Sequence, residues 1–227
     1  MKNIVIIGGT KGIGKAIVNS LVTNNNITCL SRNKSDFSHD NYSHIKYNSL
    51  VDELPEIQSV DCLIYCPGSI NLKPITNLSI DDFRDDFEIN VIGAVKCIKK
   101  YLPQLKSGDK PSILLFSTVA TKLGMPYHAS VSVAKSGIDG LVKTLGAELS
   151  PKIRINAIAP TITDTELASK ILRNEKVIEN LIERHPLKKI LSADEVSKMA
   201  EFLISDKSSS ISGQIFNMDA GIVSFKS

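Results

Sequence analysis

Aromatic residues are scarce: seven Phe, five Tyr and no Trp in 227 residues leave little material for stacking on bases. Arginine-rich runs are lacking as well, and 27 Lys+Arg stand against 24 Asp+Glu, so no nucleic-acid partner is expected. The four cysteines, Cys29, Cys62, Cys66 and Cys97, are scattered and form no CxxC. That excludes a disulfide framework and a tetrahedral metal site, and it points to a reducing compartment. Long hydrophobic runs are missing too. The first, Ile4 to Ile7, stops at Gly8 and Gly9, too short for a signal-peptide core or a membrane span. A cytoplasmic protein with no metal and no membrane partner is the expectation. Gly and Pro usage, 13 and 9 residues, is ordinary for a globular chain and excludes low-complexity disorder.

What is present is a chain of one domain's length, 1–227, in which short apolar blocks of β-formers alternate with longer stretches of helical periodicity. Strands are expected at Asn3 to Ile7, Ile27 to Leu30, His44 to Tyr47, Asp61 to Tyr65, Ser112 to Ser117, Ile153 to Ala159 and Gln214 to Asn217. Helices are expected at Ile13 to Thr23, Ile80 to Leu105, Tyr127 to Leu149, Thr165 to Glu183 and Ala193 to Ile204. Alternation of this kind calls for an α/β fold, a doubly wound parallel sheet of about seven strands with helices on both faces. Such sheets bind ligands beyond the carboxyl ends of their strands.

The first strand runs into Gly8-Gly9-Thr10-Lys11-Gly12-Ile13-Gly14 and then directly into a helix. Glycines let the backbone turn sharply and approach phosphates, while the helix presents unpaired N–H groups to an anion. The turn therefore reads as a pyrophosphate cradle. After the second strand comes Arg32, with no Asp or Glu among Leu30, Ser31, Arg32 and Asn33 to hold the ribose hydroxyls of NAD. A guanidinium makes a charge-assisted, bidentate contact with a 2′-phosphate, so Lys11 and Arg32 favour NADP(H) as cofactor.

Further along come Ile89-Asn90-Val91-Ile92-Gly93, Phe116-Ser117-Thr118, Ala134-Lys135-Ser136-Gly137-Ile138-Asp139-Gly140-Leu141, Ile155-Asn156-Ala157-Ile158-Ala159-Pro160, Thr165 and Ile211-Ser212-Gly213-Gln214. In these motifs and their order the chain resembles the short-chain dehydrogenase/reductase family, most closely its 3-oxoacyl-carrier-protein reductase-like members. The resemblance implies a Rossmann fold, a small-molecule substrate and a homodimer or homotetramer built on the two long helices. It implies that Gly8, Thr10, Lys11, Gly12, Ile13 and Gly14 line the cofactor phosphates, with Asn48 beside the adenine. It places Pro160, Thr163 and Thr165 along the nicotinamide loop. The family's Asn-Asn-Ala-Gly is here Tyr65-Cys66-Pro67-Gly68, in which only Gly68 survives.

Members of the family pair a Tyr with a Lys four residues on, and complete the site with a Ser and an Asn. Residues i and i+4 share a helix face, so the ammonium lowers the phenol pKa and holds the ribose while the phenol passes its proton. Here Lys135 keeps the register, Asn90 supports a water relay, and Thr118, or Ser117 after a one-residue shift, supplies the hydroxyl. The tyrosine position holds Val131, which has no proton to give. Tyr127, one turn earlier, is the candidate substitute if 127, 131 and 135 follow one helical face, and His128 is a weaker one. Enoyl reductases of the same superfamily are similar in setting the tyrosine further from the lysine, so a C=C reductase using Tyr127 is one alternative. A catalytically impaired cofactor-binding partner or sensor, paired with an active homologue, is the other. Asp81, Asp82, Asp85, Asp86 and Glu88 are read as solvated acids complementing a helix N-terminus. The segment 161–190 is read as a lid over the substrate pocket.

Overall fold

A computed structural model describes residues 1–225. Strands β1 (Asn3–Ile7), β2 (Asn26–Ser31), β3 (Tyr42–Lys46), β4 (Cys62–Tyr65), β5 (Ser112–Phe116), β6 (Arg154–Pro160) and β9 (Ile215–Met218) form one sheet in the order β3-β2-β1-β4-β5-β6-β9. Every neighbouring pair is parallel. All seven expected strands are therefore present. Two further strands, β7 (Thr163–Asp164) and β8 (Leu191–Ser192), make a separate short ladder that ties the base of the expected lid together.

Helices α1 (Gly12–Leu21), α2 (Ile80–Phe87), α3 (Gly93–Ser107), α4 (Ala129–Glu148), α5 (Glu175–Arg184) and α6 (Ala193–Ile204) complete the fold. The central strands β4 and β5 are buried along their whole length, which is why they read as unbroken apolar runs rather than alternating ones. Their side chains divide between two cores. Ile113, Leu115 and Leu63 face α3 and α4, and Ile64, Leu114 and Ile4 face α1 and α6.

Three expected helices come out differently. Ile80 to Leu105 is interrupted by a π turn, Glu88–Ile92, which joins α2 to α3. Tyr65 explains how the wide turn is held: its hydroxyl donates to Ile89 O at 2.6 Å, a carbonyl loosened by the extra residue. Tyr127 lies outside α4, which begins at Ala129, because its φ of +69° puts it in the left-handed region. The segment Thr165 to Glu183 breaks after a 3₁₀ turn, Glu166–Ala168, and restarts at α5, where Asn174 accepts from Val177 N.

One polar contact fastens the far edge of the sheet. The Arg154 guanidinium donates to Leu203 O, Ile211 O and Ser205 O and to Ser208 Oγ, at 3.0–3.3 Å. Arg154→Ala removes these charged hydrogen bonds, while Ser208 Oγ still donates to Leu203 O and Ser205 O and Asn156 Nδ2 to Ile211 O, and urea unfolding is expected to show a loss of about 1–3 kcal/mol.

Candidate active site

The strand order reverses at β1, so the loops after β1 and β4 diverge and open a crevice between them. A cavity of about 400 Å³ occupies it, walled by the glycine turn, by Arg32 and by Asn48. A second cavity of about 350 Å³ continues from it and is lined by Ser117, Thr118, Val131, Lys135, Pro160 and Thr163, among others. Ile13, Cys66, Gly68, Thr165 and Leu167 belong to both walls, which makes the two a continuous cleft.

The glycine turn has the geometry of an anion cradle. Gly8 and Gly12 adopt φ of +80° and +50°, and Gly14 packs so closely that a Cβ there would sit 2.2 Å from Gly8 O. The Gly12 N–H points outward and donates to the Glu166 carboxylate at 3.0 Å, a negatively charged oxygen where a phosphate oxygen would be bound. Thr10 and Lys11 flank it in the wall. The donor set fits a dinucleotide pyrophosphate.

Lys135 lies at the inner end of the cleft. Its side chain is buried, and its Nζ donates to Phe116 O, the last carbonyl of β5, at 2.8 Å. Burial pushes the ammonium down to about 8, with only partial compensation from Cys66, Asp139 and Asp86. Behind it, a Cβ at Gly68 would be 3.3 Å from Asn90 Oδ1 and 3.5 Å from Lys135 Nζ, so the glycine allows Asn90 and the lysine to converge. Asn90 is buried by the π turn and lies behind the cavity wall. Burial also pushes the Cys66 thiol up, which keeps it neutral in the wall.

Thr118 Oγ1 accepts from Ala120 N at 3.3 Å and starts a 3₁₀ turn that Ser132 pins to α4. Ser117 Oγ is buried in the same cavity wall and finds no partner among the described residues. Val131 stands in this wall, 6% exposed, where the resemblance expects a phenol.

Tyr127 is not at the site. It is 59% exposed and lines a separate surface depression with Lys73, Pro74 and Ile75, because the turn at φ +69° removes it from the helical face of Val131 and Lys135. The expectation that it shares that face is corrected. His128 does reach the Lys135 cavity, with its Nδ1 held by Pro126 O at 2.7 Å.

Asp86 corrects a second expectation. It is not a solvated acid; it is 2% exposed, one turn before Asn90 on the helix face that meets α4. Its spacing of four from Asn90 was the available signal. Asp86 and Ser69 are functional candidates that the sequence reading missed, as is His185, buried in the cavity wall with its Nε2 2.8 Å from Thr161 Oγ1.

Residues 34–223 match the family model described as enoyl-(acyl carrier protein) reductase. The chain belongs to the short-chain dehydrogenase/reductase family. It is 26% identical over 236 residues to the 3-oxoacyl-(acyl-carrier-protein) reductase of Buchnera aphidicola, covering 96% of each chain. A 3α-hydroxysteroid dehydrogenase of Mediterraneibacter gnavus is also 26% identical, over 95% of this chain and 94% of that protein. Among solved structures, a Tyr-to-Phe variant of ElxO with NADPH bound superposes with a TM-score of 0.89 at 27% identity, covering 99% of this chain and all of that one. No helix of the described residues is long and apolar enough to cross a membrane.

Proposed function

We propose that this short-chain dehydrogenase/reductase is an NADP(H)-dependent oxidoreductase that transfers hydride between the nicotinamide and a small carbonyl or conjugated carbonyl compound. The observation that carries this reading is the continuous cleft running from the glycine turn to the buried Lys135. Gly8, Thr10, Lys11, Gly12, Ile13 and Gly14 hold the pyrophosphate, Arg32 takes the 2′-phosphate, and Asn48 borders the adenine. Gly68, Pro160, Thr163 and Thr165 line the nicotinamide end, where Lys135 orients the ribose and Asn90 braces it. The bound cofactor supplies or accepts the hydride. Thr118, with Ser117 beside it, polarises the substrate oxygen.

Two ElxO structures, one with NADPH bound and one with NADP bound, support the choice of cofactor. A 3-oxoacyl reductase and a hydroxysteroid dehydrogenase among the relatives support a C=O/C–OH couple. We place the protein in the cytoplasm as a single domain with a lid at about 161–190, assembled as a homodimer or homotetramer. A second reading, a cofactor-binding partner or sensor without turnover, is favoured by Val131 alone.

Fluorescence titration with NADPH and NADH is the test. NADPH is expected to bind more tightly, and a protein that binds neither overturns the reading. In Arg32→Glu, NADPH affinity is expected to fall at least about tenfold, the equivalent of one charged hydrogen bond, while NADH affinity changes little.

A further inference from the structure

With a valine in place of the phenol, hydride transfer at this site needs another path for the proton. The loop after β4 turns at Gly68 and brings Ser69 into the wall of the Lys135 cavity. Its hydroxyl is 2.5 Å from Asp86 Oδ1 and donates to it, while Asn90 Nδ2 donates to the same Ser69 oxygen at 2.9 Å and to Asp86 O at 2.7 Å. Asp86 is 2% exposed, and its Oδ2, like Asn90 Oδ1, is buried without a partner among the described residues. A buried carboxylate oxygen without a hydrogen bond is costly to hold. Lys135 and Asp139, on α4, are the charged groups beside it.

We propose that Ser69 is the proton-transferring catalytic residue of this enzyme, with Asp86 acting through it as the terminal proton acceptor. This rests on the oxidoreductase reading above. Ser69 Oγ has one lone pair engaged by Asn90 and its hydrogen directed to Asp86, so its remaining lone pair is free to accept from a substrate hydroxyl. In alcohol oxidation the C–H electron pair leaves as hydride to the oxidised nicotinamide. The substrate O–H proton passes to Ser69 Oγ, the Ser69 proton passes to Asp86 Oδ1, and the carbonyl forms. Reduction runs the same transfers in reverse, with the proton returning from the Asp86 carboxyl through Ser69 to the oxygen that receives negative charge. Water entering the cleft exchanges the proton with solvent.

The other two hydroxyl and imidazole candidates are less well placed. The Thr161–His185 pair has the imidazole Nδ1 fixed on Leu181 O at 2.6 Å, and neither member hydrogen-bonds Asn90 or Lys135. His128 has no carboxylate partner among the described residues.

The test compares wild type, Ser69→Ala, Asp86→Asn and Ser69→Ala/Val131→Tyr. NADPH affinity is measured by fluorescence, and NADPH oxidation is followed with an acetoacetyl thioester, cyclohexanone and phenanthrenequinone as probes. Wild type is expected to reduce at least one probe. Ser69→Ala and Asp86→Asn are expected to lose at least about 100-fold in kcat with NADPH affinity unchanged, the loss of a proton donor. The added phenol in Ser69→Ala/Val131→Tyr restores turnover, which a purely structural role for Ser69 would not allow. Infrared difference spectra of the cofactor-free protein, Ser69→Ala against wild type, show a carboxylate band shift that vanishes in the Asp86→Asn background. Failure of wild type to bind NADPH overturns the oxidoreductase reading and this proposal with it. Binding without reduction of any probe favours the reading without turnover and overturns the relay with the oxidoreductase reading, whereas near-wild-type kcat in Ser69→Ala or an unchanged carboxylate band overturns the relay alone.

Discussion

Replacing Lys135 with methionine will reduce hydride transfer by about 10²- to 10³-fold, the scale of losing one preorganised charged donor, and will leave the fold intact. The lysine is buried, and a methionine fills nearly the same volume while removing a charge from an apolar wall. Stability and function therefore respond to this change in different directions. The pH dependence separates them further. In the folded chain the ammonium titrates at about 8, against an ordinary value of 10.5. Below about 8 both folded and unfolded chains hold the proton, so this group contributes no slope there. Between about 8 and 10.5 the unfolded chain still binds a proton that the folded chain has released, so stability rises with pH. Wild type will show that rise in urea midpoints measured across the window, and Lys135→Met will not. On the proposed reading wild-type turnover will fall over the same window, because the neutral amine would no longer present a cation to the ribose.

Gly14→Ala will cost at least about 3 kcal/mol, the upper range for forced overpacking, and will abolish dinucleotide binding. The clash is with backbone, which has no rotamer to retreat to: Gly8 O at 2.2 Å, Gly8 C at 3.0 Å and Gly9 Cα at 3.1 Å. Relief requires the turn to separate from the first residues of α1, which displaces the Gly12 N–H from the place it occupies in the cleft. Thermal unfolding and NADPH titration of the same sample measure both losses. Gly140→Ala, inside α4, is the control, since among the described residues nothing lies within 4 Å of a Cβ at that position.

Much of this architecture was legible in the residues. β4 and β5 are sandwiched between helical layers and so carry solid apolar runs, and the glycine turn announces itself by composition. The Lys135 register was likewise plain, because α4 is regular from Ala129 onward. Legibility failed where the backbone departs from a repeating pattern. A π turn adds one residue to a helix without altering its apolar spacing enough to be noticed, so Asn90 was expected on an ordinary helix. Counting fours back from Lys135 reaches Tyr127, but the count holds only inside a helix, and Tyr127 is itself left-handed and lies before the helix begins. Asp86 was grouped with its acidic neighbours because local sequence cannot report that α4 packs over that side of α2. The break before α5 depends on Asn174 accepting from Val177 N, and an asparagine in a charged, amphipathic stretch looks like any other polar position.

The hydroxyl of Tyr65 and the bare Cα of Gly93 occupy one another's space. A Cβ at position 93 would fall 2.1 Å from Tyr65 Oη, the oxygen that secures the Ile89 carbonyl at the π turn. A side chain at position 93 and a hydroxyl at position 65 thus exclude one another. Gly93→Ala alone forces the hydroxyl off the Ile89 carbonyl and loosens the wide turn, whereas Tyr65→Phe removes the clashing oxygen and opens room for the second change. The shape of this helix is therefore set from the strand beside it as much as from the helix itself.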